Sequence, residues 1–158
     1  MDPRALADLS AALERNDWLT ADRATRALIG TEAGPVLPAD IARLPSPVLI
    51  DIDSRWSACS GAALGFAVQA RLWRELGGVA QVLVYEDMSA DEKRALGQIE
   101  GRFAKRVDWV SADGVWAGPR YDATARQAPG ALPYLPLMCS YGYGLVGMNL
   151  AALASRFG

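Results

Sequence analysis

Apolar residues recur at helical spacing from the first turn of the chain. Leu6, Leu9 and Leu13 fall on one face of an opening helix, with Asp2 placed to cap it and Pro3 at its first position. A break at Asn16-Asp17 leads into a second helix, where Trp18, Ala21, Thr25 and Leu28 share a face and Gly30 supplies the stop. The pattern predicts a helical hairpin. Residues 31–38 read as loop and residues 39–43 as a short helical turn ended by Pro45. Ser46-Pro47 then opens a longer helix, with Leu49, Ile52 and Trp56 inward, reaching about Cys59. After Ser60-Gly61 a further helix carries Phe66, Gln69, Trp73 and Leu76 on one stripe and stops at Gly77-Gly78.

The second half is less regular. The apolar run 82–85 fits either a strand or a buried connector, since periodicity does not separate the two over so short a stretch. Ser89 followed by Glu92 is a capping-box pattern, and the helix behind it turns Leu96, Ile99 and Phe103 inward. Asp113-Gly114 between short apolar pieces predicts a tight hairpin over residues 108–116. Pro119, Pro129, Pro133 and Pro136 punctuate an irregular region, and residues 145–157 form a last amphipathic helix despite Gly147. The sum is an all-α fold, a compact multi-helix single domain spanning 1–158, with at most one short β-hairpin.

Composition narrows the chemistry. With 51% hydrophobic residues in 158, the chain can bury a core. A net charge of −2 carries no basic excess that would point to nucleic acid, and apolar stretches of around ten residues fall short of the ~20 that cross a bilayer. No charged-then-apolar leader precedes a small-residue cleavage site, so the expected location is cytoplasmic, with Cys59 and Cys139 reduced and unbridged. The sharpest fact is that histidine is absent. That removes Ser-His-Asp and Cys-His catalysis, His-bearing zinc sites and a His-ligated haem.

The remaining candidates for chemistry read as structure. Asp51 and Asp53 are two apart and would not face each other on a helix. Glu86, Asp87, Asp91 and Glu92 gather where a helix starts, where negative charge meets unpaired N–H groups. The Gly-rich pieces at Gly77-Gly78 and Gly142-Tyr143-Gly144 lack the strand–turn–helix context of a phosphate loop. Arg102, Lys105 and Arg106 read as a solvated basic face, with a patch that meets carboxylates of a ligand or a partner as the alternative. No residue is expected to be catalytic and none to ligate a metal. Of the five tryptophans, Trp109 and Trp116 flank a turn, and one of them is expected to line a cavity.

Several of these positions recur in a recognisable order. Asn16-Asp17-Trp18, Ala21-Asp22 and Thr25 are followed by Leu44-Pro45, Ile52, Trp56 and Ser60. Gly65-Phe66-Ala67-Val68-Gln69 and Trp73 come next, then Val107-Asp108-Trp109, Trp116 and Ala128-Pro129-Gly130-Ala131-Leu132-Pro133. This ordered set, spanning about 6–136, resembles the Genomes-Uncoupled-Four domain family. The resemblance implies an all-helical core that holds a porphyrin in an apolar, open pocket. In the photosynthetic members that ligand is protoporphyrin IX or its magnesium complex, and the protein stimulates magnesium chelatase without being a catalyst itself. It therefore implies a tetrapyrrole-binding accessory or sensing domain, with no covalent cofactor, a bound porphyrin and a partner enzyme.

Carried onto this sequence, the resemblance marks Phe66, Gln69, Trp109, Trp116, Pro129 and Leu132 as ligand-binding. Leu64 and Met138 join them from segments where this chain departs from the family. Ala63-Leu64 replaces a basic residue and Phe, and the apolar run 136–140 replaces an arginine-bearing loop. With that loop lacking arginine, Arg126 is the expected partner of a propionate. Ala131 stands in place of a histidine, and about twenty extra residues, roughly 79–101, precede Phe103. The apolar loop also leaves open a binder of, or an enzyme acting on, another large apolar small molecule. Cys139, Tyr141 and Tyr143 would be its reactive groups. A protein-interaction module is the third alternative.

Overall fold

The computed structural model describes residues 2–30, 35–136 and 146–158. Seven α-helices account for its regular structure among these residues: α1 (Pro3–Glu14), α2 (Trp18–Ile29), α3 (Pro38–Arg43), α4 (Ser46–Ser60), α5 (Phe66–Glu75), α6 (Ala90–Arg106) and α7 (Gly147–Arg156). Their ends follow local chemistry. Asp2 accepts from the Arg4 N–H at 2.9 Å, Asp17 from the Thr20 N–H at 3.2 Å and Ser89 from the Glu92 N–H at 3.1 Å. Gly61 closes α4 in the left-handed region at φ 63°.

Two hydrophobic clusters fill the interior. One lies under α1, α2, α3 and α4 and centres on Trp18, Ile41, Ile52 and Trp56. The other lies under α5 and α6 and centres on Trp73, Phe103 and Trp109. α7 joins them, with every residue from Val146 to Ala154 buried. A helix apolar on all sides belongs in a core, and the sequence MNLAALA supplies it with small and aliphatic side chains that let α3, α5 and α6 approach. Its C-terminal Arg156 reaches across to α3, donating to the carbonyls of Ile41 and Leu44 at 2.8 Å each. These are carbonyls that a helix end leaves without partners.

Two sequence expectations are refined. The hairpin at 108–116 shrinks to one isolated antiparallel bridge between Val110 and Trp116. The run 82–85 is a connector in which Leu83 is buried while Val82 and Val84 face outward, passing into a single 3-10 turn at Tyr85–Asp87. Too few partners flank either segment to build a sheet. Among the described residues no helix is long and apolar enough to cross a membrane.

Candidate functional site

The residues that form the ordered motif set meet around one irregular segment, residues 117–136. It has no helix longer than a 3-10 turn at Ala125–Gln127 and must therefore be tied down by side chains. Gln69 on α5 donates from Nε2 to the carbonyls of Gly130 (3.0 Å) and Pro133 (2.6 Å). Trp109 donates from its indole to the Ala131 carbonyl at 3.1 Å, and Asn149 on α7 donates to the carbonyls of Val36 and Leu135 at 2.8 Å each. Asp22 on α2 accepts from the Tyr121 hydroxyl at 2.6 Å and the Tyr134 N–H at 2.8 Å.

The α4–α5 corner is built in the same way. Thr25 donates to the Ala21 carbonyl and accepts from the Trp56 indole at 2.9 Å, while Ser60 donates to the Trp56 carbonyl and accepts from the Leu64 N–H. Gly65 sits at φ 125°, and a Cβ there would stand 2.6 Å from Oδ1 of Asp53, the oxygen that receives the Ala67 N–H. Asp53 is thus a local latch, and Asp51 pairs instead with Arg55 at 3.0 Å.

This latching decides where the expected ligand-binding residues lie. Leu64, Phe66, Gln69, Trp109 and Leu132 are each no more than 1% exposed and belong to the packed interior. Trp116 keeps part of its surface, donates to the Tyr134 hydroxyl at 3.0 Å and stands beside Trp109, with 6.0 Å between ring centroids. Pro129 and Arg126 are exposed. Arg126 sits near Cys59, where its charge partly offsets the burial that raises the Cys59 thiol pKa. Cys59 is a free thiol. Met138, with Cys139, Tyr141 and Tyr143, lies outside the described residues. The structure thus buries five of the marked residues, Leu64, Phe66 and Leu132 in one cluster, Trp109 in the other and Gln69 beside the 117–136 segment, and leaves Trp116, Pro129 and Arg126 nearer the surface.

Among the described residues, a concavity of ligand size lies elsewhere. A groove of about 1090 Å³ runs along α1 and α2, slightly above the ~300–1000 Å³ usual for ligand pockets. Four arginines, Arg4, Arg15, Arg23 and Arg26, line it together with Asp2 and Asp8. Ala5, Ala11, Ala24 and Ala27 contribute small apolar surface, with Pro35 and Pro136 from the two connections. Arg15 faces Asp17 at 3.7 Å and Arg26 faces Asp22 at 3.9 Å, whereas Arg23 has no carboxylate partner among the described residues. Sequence reading passed over these arginines because they are scattered at positions 4, 15, 23 and 26 as ordinary outward residues of two helices. Only the hairpin pairing gathers them.

Burial also marks Asp22. Its carboxyl is fully enclosed, and that desolvation pushes its pKa up to about 6, against the opposing hydrogen bond from Tyr121, the charge of Arg26 and the Tyr134 N–H. Tyr121 is pushed well above the usual phenol range by its own burial and by the charge of Asp22.

Comparison with known proteins places this geometry. No match is found among the curated proteins. The solved structure of ligand-free GUN4 from Arabidopsis thaliana superposes with a TM-score of 0.64 at 18% identity, covering 95% of each chain, which shows a shared fold. The family model described as GUN4-like, that of the Genomes-Uncoupled-Four proteins, matches residues 3–141. The chain belongs to the GUN4-like family.

Proposed function

We propose that the protein is a tetrapyrrole-binding accessory domain that takes an acidic porphyrin, such as protoporphyrin IX or its magnesium complex, in the α1–α2 groove and presents it to a partner enzyme. The observation that carries this reading is the groove itself: four arginines around small apolar side chains, on a scaffold of this family. A porphyrin is a flat apolar disc with carboxylates at one edge, so it asks for apolar area with cations beside it. Burying one face, on the order of 300 Å² at roughly 25 cal/mol/Å², contributes about 7 kcal/mol before ordering costs. Arginine suits the carboxylate edge because its planar fork binds both oxygens.

Trp116, Arg126 and Pro129 keep exposed surface but lie outside the lining of the groove, so a porphyrin seated there is not expected to rest on them. Met138 stays in the proposed binding set on its place in the sequence. Leu64, Phe66, Gln69, Trp109 and Leu132 contribute by fixing the scaffold. Binding to the α1–α2 groove needs no catalytic group.

Titration with mesoporphyrin IX should shift its Soret band and quench tryptophan emission. Arg23→Ala should weaken the dicarboxylic porphyrin roughly tenfold, since charge-assisted hydrogen bonds are worth ~1.5–3 kcal/mol, and should barely change the dimethyl ester. A Soret band and fluorescence unmoved at saturating porphyrin would rule the reading out.

A further inference from the structure

Arg26 stands at the boundary between the groove and the interior. Its side chain lines the groove and is 27% exposed, while its Nη2 lies 3.9 Å from Oδ2 of Asp22, whose side chain is 0% exposed. At that separation the two form an ion pair without a hydrogen bond, so the guanidinium N–H groups remain able to receive a carboxylate from the groove side. Asp22 in turn holds Tyr121 and the Tyr134 backbone, and Tyr134 accepts the Trp116 indole N–H. The charged and titratable groups around this carboxyl are Arg26 on its own helix and Tyr121 and Tyr134 on the 117–136 segment, with Glu100 of α6 acting on Tyr134. Arg26 is the cation among them.

We propose that a carboxylate seated on Arg26 in the groove is bound together with one proton, taken from solvent by Asp22. The inference rests on the groove being the ligand site. Its physical basis is charge balance. A ligand carboxylate neutralises the cation that helps Asp22 stay ionised and adds a negative charge of its own nearby. Both changes favour the neutral acid of a fully buried carboxyl. The proton goes to Oδ2, which then donates to the Tyr121 oxygen while the phenol hydrogen turns away. Asp22 already titrates near 6, so the uptake falls close to neutral pH rather than far below it. Because the bound state holds the extra proton, affinity rises as pH falls through the interval between the bound and free midpoints, and is level on either side.

The test uses the full chain and mesoporphyrin IX as probe. The Asp22 side-chain carboxyl is followed by ¹³C NMR with and without porphyrin, and affinity is read from the Soret band between pH 5.5 and 8. The expected result is an upward move of the Asp22 midpoint on binding, with affinity gaining roughly tenfold per unit moved. Arg26→Gln should raise the midpoint in the free protein and flatten the pH dependence of binding. Calorimetry in two buffers of different ionisation enthalpy should show net proton uptake by the wild type alone. Binding without any change at Asp22 overturns the coupling and leaves the tetrapyrrole reading standing. Absence of porphyrin binding at every pH sinks the tetrapyrrole reading. In that case an unchanged Asp22 midpoint in Arg26→Gln also sinks the link between the two residues, while a raised one retains it.

Discussion

At the scale of single residues, several motif positions hold neighbouring backbone through their side chains, as Ser60, Gln69 and Trp109 do. Gly65 illustrates the sensitivity this creates. Its φ of 125° disfavours any side chain, and a Cβ would press on Asp53 Oδ1, which is held by the Ala67 N–H. Gly65→Ala is expected to cost about 1–3 kcal/mol in urea unfolding, in the range of overpacking. Removing the Asp53 side chain in the same protein should return less than all of it, because the backbone strain persists. Asp22 makes a pH-dependent contribution. Its folded pKa of about 6 stands above its ordinary 3.8, so the folded state holds the proton more tightly than the unfolded one. Stability therefore declines as pH rises from about 4 to about 6, by an amount on the order of 3 kcal/mol at ~1.36 kcal/mol per unit, and is level above. Chemical denaturation of the wild type relative to Asp22→Asn across that interval should show this slope. A parallel pair of curves would remove Asp22 from the account.

At the scale of elements, the caps expected at Asp2 and Ser89 are observed, and Asp17, expected only as part of a break, also caps a helix. Ser89 and Glu92 form the reciprocal box at the start of α6, and Asp2 and Asp17 cap the hairpin helices. Other helix ends depend on distant residues. α7 begins at Gly147 with no local cap; instead Glu100 of α6 accepts from the N–H groups of Val146 (3.2 Å) and Gly147 (2.8 Å). A buried glutamate in the middle of an amphipathic pattern would otherwise be a cost, and here it serves the positive end of another helix. Glu100→Ala should destabilise the protein by roughly 2–3 kcal/mol, with early loss of hydrogen-exchange protection in the first turn of α7. Full protection of that turn in the variant would show that α7 is held by packing alone. The α6 helix that carries this glutamate is part of the core through Leu96, Glu100 and Phe103.

At the scale of the whole molecule, two interior clusters bridged by α7 leave the outer faces of α1 and α2 to form a cationic groove on a chain whose net charge is −2. A local positive field on an acidic protein is a screened, short-range attraction. Raising ionic strength should accordingly weaken the dicarboxylic porphyrin several-fold while its dimethyl ester, which keeps only the apolar part, holds its affinity. Equal salt dependence for the two ligands would take the arginines out of recognition.

The helices, their caps and the single helical domain could be read from the chain because that information is local: a 3.6-residue apolar period, an acceptor before the first turn, a glycine after the last. The ordered motif was equally readable and pointed to the family, but it reported the latches of the scaffold. Gln69, Trp109 and Trp56 stand out in sequence because buried donors need particular carbonyls or hydroxyls, and that same need encloses them. Tertiary structure alone decided three further matters. It gathered Arg4, Arg15, Arg23 and Arg26 along one groove, it buried Asp22 under Tyr121 and Tyr134, and it set Glu100 at the head of α7. Each depends on pairing residues far apart along the chain, and no local pattern encodes which outward-facing charge will find itself at an edge, in a groove or under a neighbouring segment.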